Sequence, residues 1–215
     1  VNHLGHQYLA ESLIPLLEKS EFPRIVVTSS EVHNPSSSGG SFGKPAGLGG
    51  LSGLRAERRF LMVDGSEEFN ADKAYKDSKL CNILFAKELY RRLKLKDRKM
   101  PVIAWGPGLV IPRNNNGFFR YSRKHNEIGQ RVFALFVRDI FQISETPEKA
   151  GELLMQLATN SIYNRPIFSY YSNKVIGFGR RRFEESELGK EAKDDDLAKS
   201  LWDLTSNLLK TSIDL

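Results

Sequence analysis

Leu4, Tyr8, Leu9, Leu13, Leu16 and Leu17 recur at helical spacing, which predicts a helix over residues 2–19 with Pro15 kinking its end. Arg24-Ile25-Val26-Val27-Thr28-Ser29-Ser30 has β-branched residues and no polar alternation. That run predicts a buried parallel strand ending in hydroxyls. Residues 31–70 are rich in Gly, Ser and Pro and read as a long excursion, a length that is uncommon without a function. A second helical rhythm (Leu80, Ile83, Leu84, Leu89, Leu93) predicts a helix over 71–96. Pro101-Val102-Ile103-Ala104-Trp105 predicts another buried strand, ended by Gly106-Pro107-Gly108. An amphipathic stretch follows at 128–141. Ser144-Glu145-Thr146-Pro147-Glu148 then signals a helix start, with the helix running to about Ala158. Residues 166–171 predict a last strand, and Leu197–Leu209 a terminal helix.

Helices and strands that alternate in this way predict an α/β fold built on a parallel sheet with right-handed crossovers. Ligands of such sheets gather beyond the carboxyl ends of the strands. Ser29-Ser30 and Pro107-Gly108 both follow strand ends, and Tyr75 follows the excursion, so all three are expected at one edge of the sheet.

The chain has 215 residues, enough for one domain with a sizeable core, and it contains no internal repeat. Hydrophobic residues make up 40% and charged residues 27%, ordinary for a globular protein, and no apolar run approaches a membrane span. Lys plus Arg exceed Asp plus Glu by 32 − 26, giving +6. The cations lie in separate groups, Arg55–Arg59, Arg91–Lys99, Arg113–Lys124 and Arg180–Arg182. No nucleic-acid motif accompanies them. A basic surface facing solvent, an anionic cofactor or anionic lipid all fit this charge. The single cysteine, Cys81, excludes an intrachain disulfide, and the four histidines lack metal-ligand spacing. The chain begins inside its first helical rhythm, without an initiator methionine or a cleavable signal pattern. The expectation is the C-terminal part of something longer.

Ala74-Tyr75-Lys76-Asp77-Ser78-Lys79 carries the candidate chemistry. A tyrosine has an ordinary pKa of about 10. A lysine four residues on lies on the same helical face, where its ammonium favours the phenolate and brings proton exchange nearer neutral pH. Such a pair suits a proton donor beside a hydride donor. The aromatics between Phe118 and Phe141, including Phe119 and Tyr121, read either as a lid over a greasy substrate or membrane contact, or as the core face of a helix and its connecting loop.

Asn2-His3-Leu4-Gly5, Ile25–Ser30, Tyr75-x-x-x-Lys79 and Pro107-Gly108, in this order, resemble the short-chain dehydrogenase/reductase family over essentially the whole chain. The resemblance implies the C-terminal part of a Rossmann-like doubly wound parallel sheet. It reads residues 1–215 as one partial domain, with an insertion at about 31–70 and a lid-like segment at about 109–143. It implies a catalytic set of Asn2, Ser30, Tyr75 and Lys79, with NADPH delivering hydride and Tyr75 the proton. Lys79 would hold the nicotinamide ribose, and Pro107 and Gly108 would pass close to the nicotinamide.

Within the family, the protochlorophyllide oxidoreductase branch is the most similar. His33-Asn34-Pro35 with Gly39-Gly40, then Leu48-Gly49-Gly50-Leu51-x-Gly53-Leu54 and Met62-Val63-Asp64-Gly65, look like its insertion. Lys73–Asn82 is similar to its active-site helix, as are Gly117-Phe118-Phe119-Arg120 and the segment from Asp194 to Trp202 to its later stretches. That branch implies a tetrapyrrole substrate touched by Cys81, Phe118, Phe119 and Tyr121, a role in chlorophyll biosynthesis and photosynthesis, and a plastid location. A soluble or peripheral membrane protein and a homo-oligomer are both compatible with it. Its Pro-Gly-Cys is here Pro107-Gly108-Leu109, and Asn114-Asn115-Asn116 lengthens the segment that follows. Val1–His6 and Ser78–Phe85 are also similar to retinol-dehydrogenase-like reductases, which implies a lipophilic carbonyl substrate as the alternative. A catalytically silent pigment- or protein-binding module is the other alternative. The family's Gly-rich phosphate turn, which seats a pyrophosphate on a helix N-terminus, has no counterpart in the 215 residues.

Overall fold

A computed structural model of the chain describes residues 1–56, 59–111, 127–140 and 144–213. Its centre is a four-stranded sheet: β1 (Ile25–Thr28), β2 (Val102–Gly106), β3 (Phe168–Gly177) and β4 (Arg180–Glu185), in that spatial order. β1, β2 and β3 run parallel, with Ile25 beside Val102 and Val102 beside Phe168. All five residues of β2 are buried, as a strand flanked on both edges and covered on both faces must be.

The helices are α1 (Leu4–Leu17), the short α2 (Ser52–Arg55), α3 (Ala71–Leu95), α4 (Glu127–Ala134), α5 (Pro147–Thr159) and α6 (Asp195–Ile213). A wider π-helical turn, Leu135–Ile140, extends α4. The main core packs Ile25, Val27, Val102, Ala104 and Tyr170 against α3 and α6. The other face packs Ile103 and Trp105 against Leu153 and Leu157 of α5. Layers on both faces make the sheet doubly wound, as the element order predicts. α3 starts where Asn70 Oδ1 accepts a hydrogen bond from the Lys73 amide at 2.9 Å. α5 starts on Thr146, whose hydroxyl accepts from the Lys149 amide, with Pro147 in the first turn.

Three expectations change. The last strand is longer than 166–171 and turns back as β4, antiparallel to it. Arg180–Arg182 read as a basic patch, and nothing in their charge announces a strand. α1 turns Tyr8, Leu9, Leu13 and Leu16 to solvent; Ala10, Ile14 and Leu17 make its partial contact with the core. The excursion is not a solvated loop. Ala46, Leu48, Leu51 and Met62 are buried, and the short turns at Glu31–His33 and Gly49–Leu51 fold it down. At Gly53 a Cβ would stand 2.1 Å from the Met62 carbonyl oxygen, so only glycine lets these two stretches touch.

Candidate functional site

The carboxyl end of β1 splits two neighbouring serines between two tasks. The Ser29 hydroxyl donates to the Lys79 carbonyl at 2.8 Å, fastening β1 to α3. The Ser30 hydroxyl is hydrogen-bonded to that of Tyr75. Ser30, and not its neighbour Ser29, is thus the serine that faces the tyrosine.

Lys79 lies one turn beyond Tyr75, with its Nζ 5.5 Å from the ring centre. Among the described residues it donates to the Thr28 carbonyl, at a long 3.5 Å. The same carbonyl takes a shorter bond, 3.1 Å, from Asn82 Nδ2. Thr28 was not singled out by the sequence, because a backbone acceptor leaves no mark on residue type. Asn2 Nδ2 donates to the Ser78 hydroxyl at 3.2 Å, which brings the chain's first turn onto α3 between Tyr75 and Lys79.

Burial raises the Tyr75 hydroxyl above its ordinary value, and the hydrogen bond with Ser30 offsets only part of that. This is opposite to the shift expected from Lys79. The lysine is itself half-buried, and desolvation lowers its ammonium. As the chain stands, then, Tyr75 is a protonated phenol at neutral pH, and Lys79 has donor capacity left over among the described residues.

The turn after β2 is held by β3. Asn173 Nδ2 donates to the Pro107 carbonyl at 3.4 Å and to Glu145 Oε2 at 2.9 Å. Gly108 has φ +83°, and a Cβ there would meet the Asn173 carbonyl at 2.9 Å. The chain's own packing therefore demands glycine at 108, independently of any cofactor. Asn173 escaped the sequence reading because the strand was predicted to end before it.

The remaining expected residues divide. Cys81 belongs to the main core on another face of α3, where burial, with Asp77 and Glu191 nearby, pushes its thiol far up. It is a packed hydrophobe and is not brought to Tyr75. Leu109 packs with Ile111 and Val137. Phe118, Phe119 and Tyr121 lie outside the described residues, as does Phe141.

His3, unused by the sequence reading, stands edge-on to Phe85, with both ring nitrogens buried and without a hydrogen-bond partner among the described residues. Burial, then His6 and the N-terminal ammonium, lower its pKa to about 4. The unfolded chain takes up this proton first, near pH 6.5, so stability falls from there down to about pH 4 and then levels. His3→Leu should remove about 3 kcal/mol of that acid dependence, at 1.36 kcal/mol per pH unit. Denaturant titrations of both proteins at pH 7 and pH 4.5 measure it.

Curated protochlorophyllide reductases are similar to this chain along nearly its whole length. Protochlorophyllide reductase A, chloroplastic, of Oryza sativa subsp. japonica is 31% identical over 97% of this chain and 52% of its own length. Protochlorophyllide reductase of Avena sativa is 30% identical over 97% of this chain and 65% of its own length. An uncharacterized protein of Mycobacterium Paratuberculosis shares the fold, with a TM-score of 0.55 at 23% identity, covering 97% of this chain and 57% of its own. No protein-family model matches. The fold is thus Rossmann-like, and the sequence is similar to reductases of the short-chain dehydrogenase/reductase type. More narrowly, the chain is a relative of the protochlorophyllide reductases, and spans about half the length of the curated relatives it matches.

Proposed function

We propose that this chain is the proton-donating half of an NADPH-dependent reductase of the protochlorophyllide reductase type, acting in plastid chlorophyll biosynthesis. The observation that carries the proposal is the hydrogen bond joining the Ser30 and Tyr75 hydroxyls at the end of β1, with Lys79 one turn away.

The residues fit a nicotinamide cofactor on one further count. Among the described residues Lys79 is a half-buried ammonium with a single long acceptor contact, and a ribose diol would supply further acceptors. NADPH, when bound, supplies hydride. Tyr75 presents a proton from its hydroxyl, Ser30 holds that hydroxyl in direction, and Asn173 keeps the Pro107–Gly108 turn in place. Asn2, beside Ser78, is the fourth member. No dinucleotide phosphate turn is present in the sequence, so the activity belongs to this chain together with a phosphate-binding half.

The test is to join the chain to the upstream half of the rice relative, add NADPH and protochlorophyllide, and illuminate. The expected result is a light-dependent absorbance shift. Dark turnover of retinal with no shift under light would favour the lipophilic-carbonyl reading. One observation supports that second reading: Leu109, in place of the branch's cysteine, is committed to packing with Ile111 and Val137.

A further inference from the structure

The β3–β4 hairpin ends in an exposed apolar tip. Val175, Ile176 and Phe178 are 46%, 44% and 65% exposed. A regular strand sends adjacent side chains to opposite faces. Here the register slips between Val175 and Gly177: Val175 pairs with Arg181 and Gly177 with Arg180, leaving Ile176 as an extra residue. The bulge re-aims the strand so that both neighbours stay in solvent. Gly179, with φ +62°, closes the turn and leaves Phe178 at its apex.

The tip is ringed by cations. Lys174 lies opposite Arg182, and Arg180 borders the turn. Residues 174–182 hold four cations and no carboxylate. Arg181 alone turns inward, to the Ser144 carbonyl and to Glu145 at 3.7 Å, and so anchors the hairpin to the body. Lys174 and Arg182 each reach Glu184 at 3.7 Å, both as surface pairs of small strength, and so keep their charge for an outside partner.

We propose that this hairpin tip docks on an anionic lipid bilayer, with Phe178, Ile176 and Val175 entering the headgroup–acyl boundary and Arg180, Arg182 and Lys174 lying against the lipid phosphates. Positive charge alone would equally suit a nucleic acid. The two aliphatic side chains decide between them, because neither offers a face on which a base stacks, whereas both gain by leaving water for acyl chains. The docking does not depend on whether the site reduces anything.

The test is co-sedimentation of the 215-residue chain with vesicles of phosphatidylcholine, alone or containing about one third phosphatidylglycerol. Binding is expected to the anionic vesicles and to weaken with added salt. Phe178→Ser and Ile176→Ser should each weaken it roughly tenfold, from the apolar surface withdrawn. Arg180→Glu should weaken it by about fivefold or more, from the loss of one cation and the gain of one anion at the surface. These side chains are exposed, and an unchanged circular-dichroism melt checks that each variant is folded. Equal binding to both vesicle types overturns the proposal, as does wild-type binding by both folded tip variants. So does loss of binding through Ile128 and Val132 of α4 instead of the hairpin. Tighter, Phe178-dependent capture of single-stranded oligonucleotide, or of a second copy of the chain by light scattering, also overturns it.

Discussion

Asp77→Ala should destabilise the chain by about 3–5 kcal/mol, the cost of removing one partner from a buried ion pair. Asp77 is 2% exposed at its side chain. One carboxylate oxygen accepts the Gly47 amide at 2.9 Å, and the other accepts Lys73 Nζ at 2.6 Å. Lys73 also binds Asp64 at 3.0 Å and the Gly47 carbonyl. One buried cluster therefore pins both arms of the excursion, through Gly47 and Asp64, to the first turns of α3, which carry Tyr75. Burial raises the Asp77 carboxyl even against the pull of Lys73, whereas the Lys73 ammonium, despite burial, is raised by Asp77 and Asp64. Deleting the carboxylate strands the Gly47 amide and leaves Lys73 with one carboxylate in place of two. Against a total of about 5–15 kcal/mol, that is a large fraction. Asp77→Asn keeps an acceptor for Gly47 and should cost less. Lys73→Met combined with Asp77→Leu should recover part of the loss. Urea midpoints at pH 7 for the four proteins measure this ranking, and equal midpoints for Asp77→Ala and wild type would show that the cluster does not hold the excursion.

The sequence exposes features whose signal is local. α3 is predicted over 71–96 and observed over Ala71–Leu95, because its apolar spacing and its Asn70 cap lie within one stretch of chain. Thr146 and Pro147 mark the start of α5 in the same way. β2 announces itself as an unbroken apolar run, since both its faces are covered. What escapes is relational. The excursion's core residues, Leu48 and Leu51, sit among glycines and look like loop; the Lys73–Asp77–Asp64 cluster and the Leu48 amide's bond to Glu191 help hold them in the core. β4 is hidden because its Arg–Arg–Arg run is polar on both faces and is held by pairing with β3. In the candidate site, spacing marks Tyr75 and Lys79, and the family resemblance adds Ser30, but neither gives the direction of the tyrosine's shift. Spacing reports the lysine's charge. It does not report the burial that outweighs it.

Tyr75→Phe, in the chain joined to a phosphate-binding half, should lower the reduction rate roughly 10²–10⁴-fold, the usual contribution of a positioned general acid. The substitution keeps the ring, and Ser30 retains its own link to the Val32 amide, so the local fold should survive. A raised Tyr75 pKa has a kinetic meaning: the phenol stays protonated through neutral pH, which is the form a proton donor needs. The wild-type rate should therefore show no loss from Tyr75 ionisation near neutrality, and should fall only as the phenol ionises in alkali. Lys79→Met should act differently. It removes an ammonium that is held only by a long 3.5 Å contact to the Thr28 carbonyl among the described residues, so its main effect should be on the KM for NADPH, with the tyrosine's proton still in place. Single-turnover rates at saturating NADPH, taken from pH 6 to pH 10, separate the two. A Tyr75→Phe protein within a few-fold of wild type would remove the proton-donor role and leave a chain that binds pigment or protein without chemistry of its own.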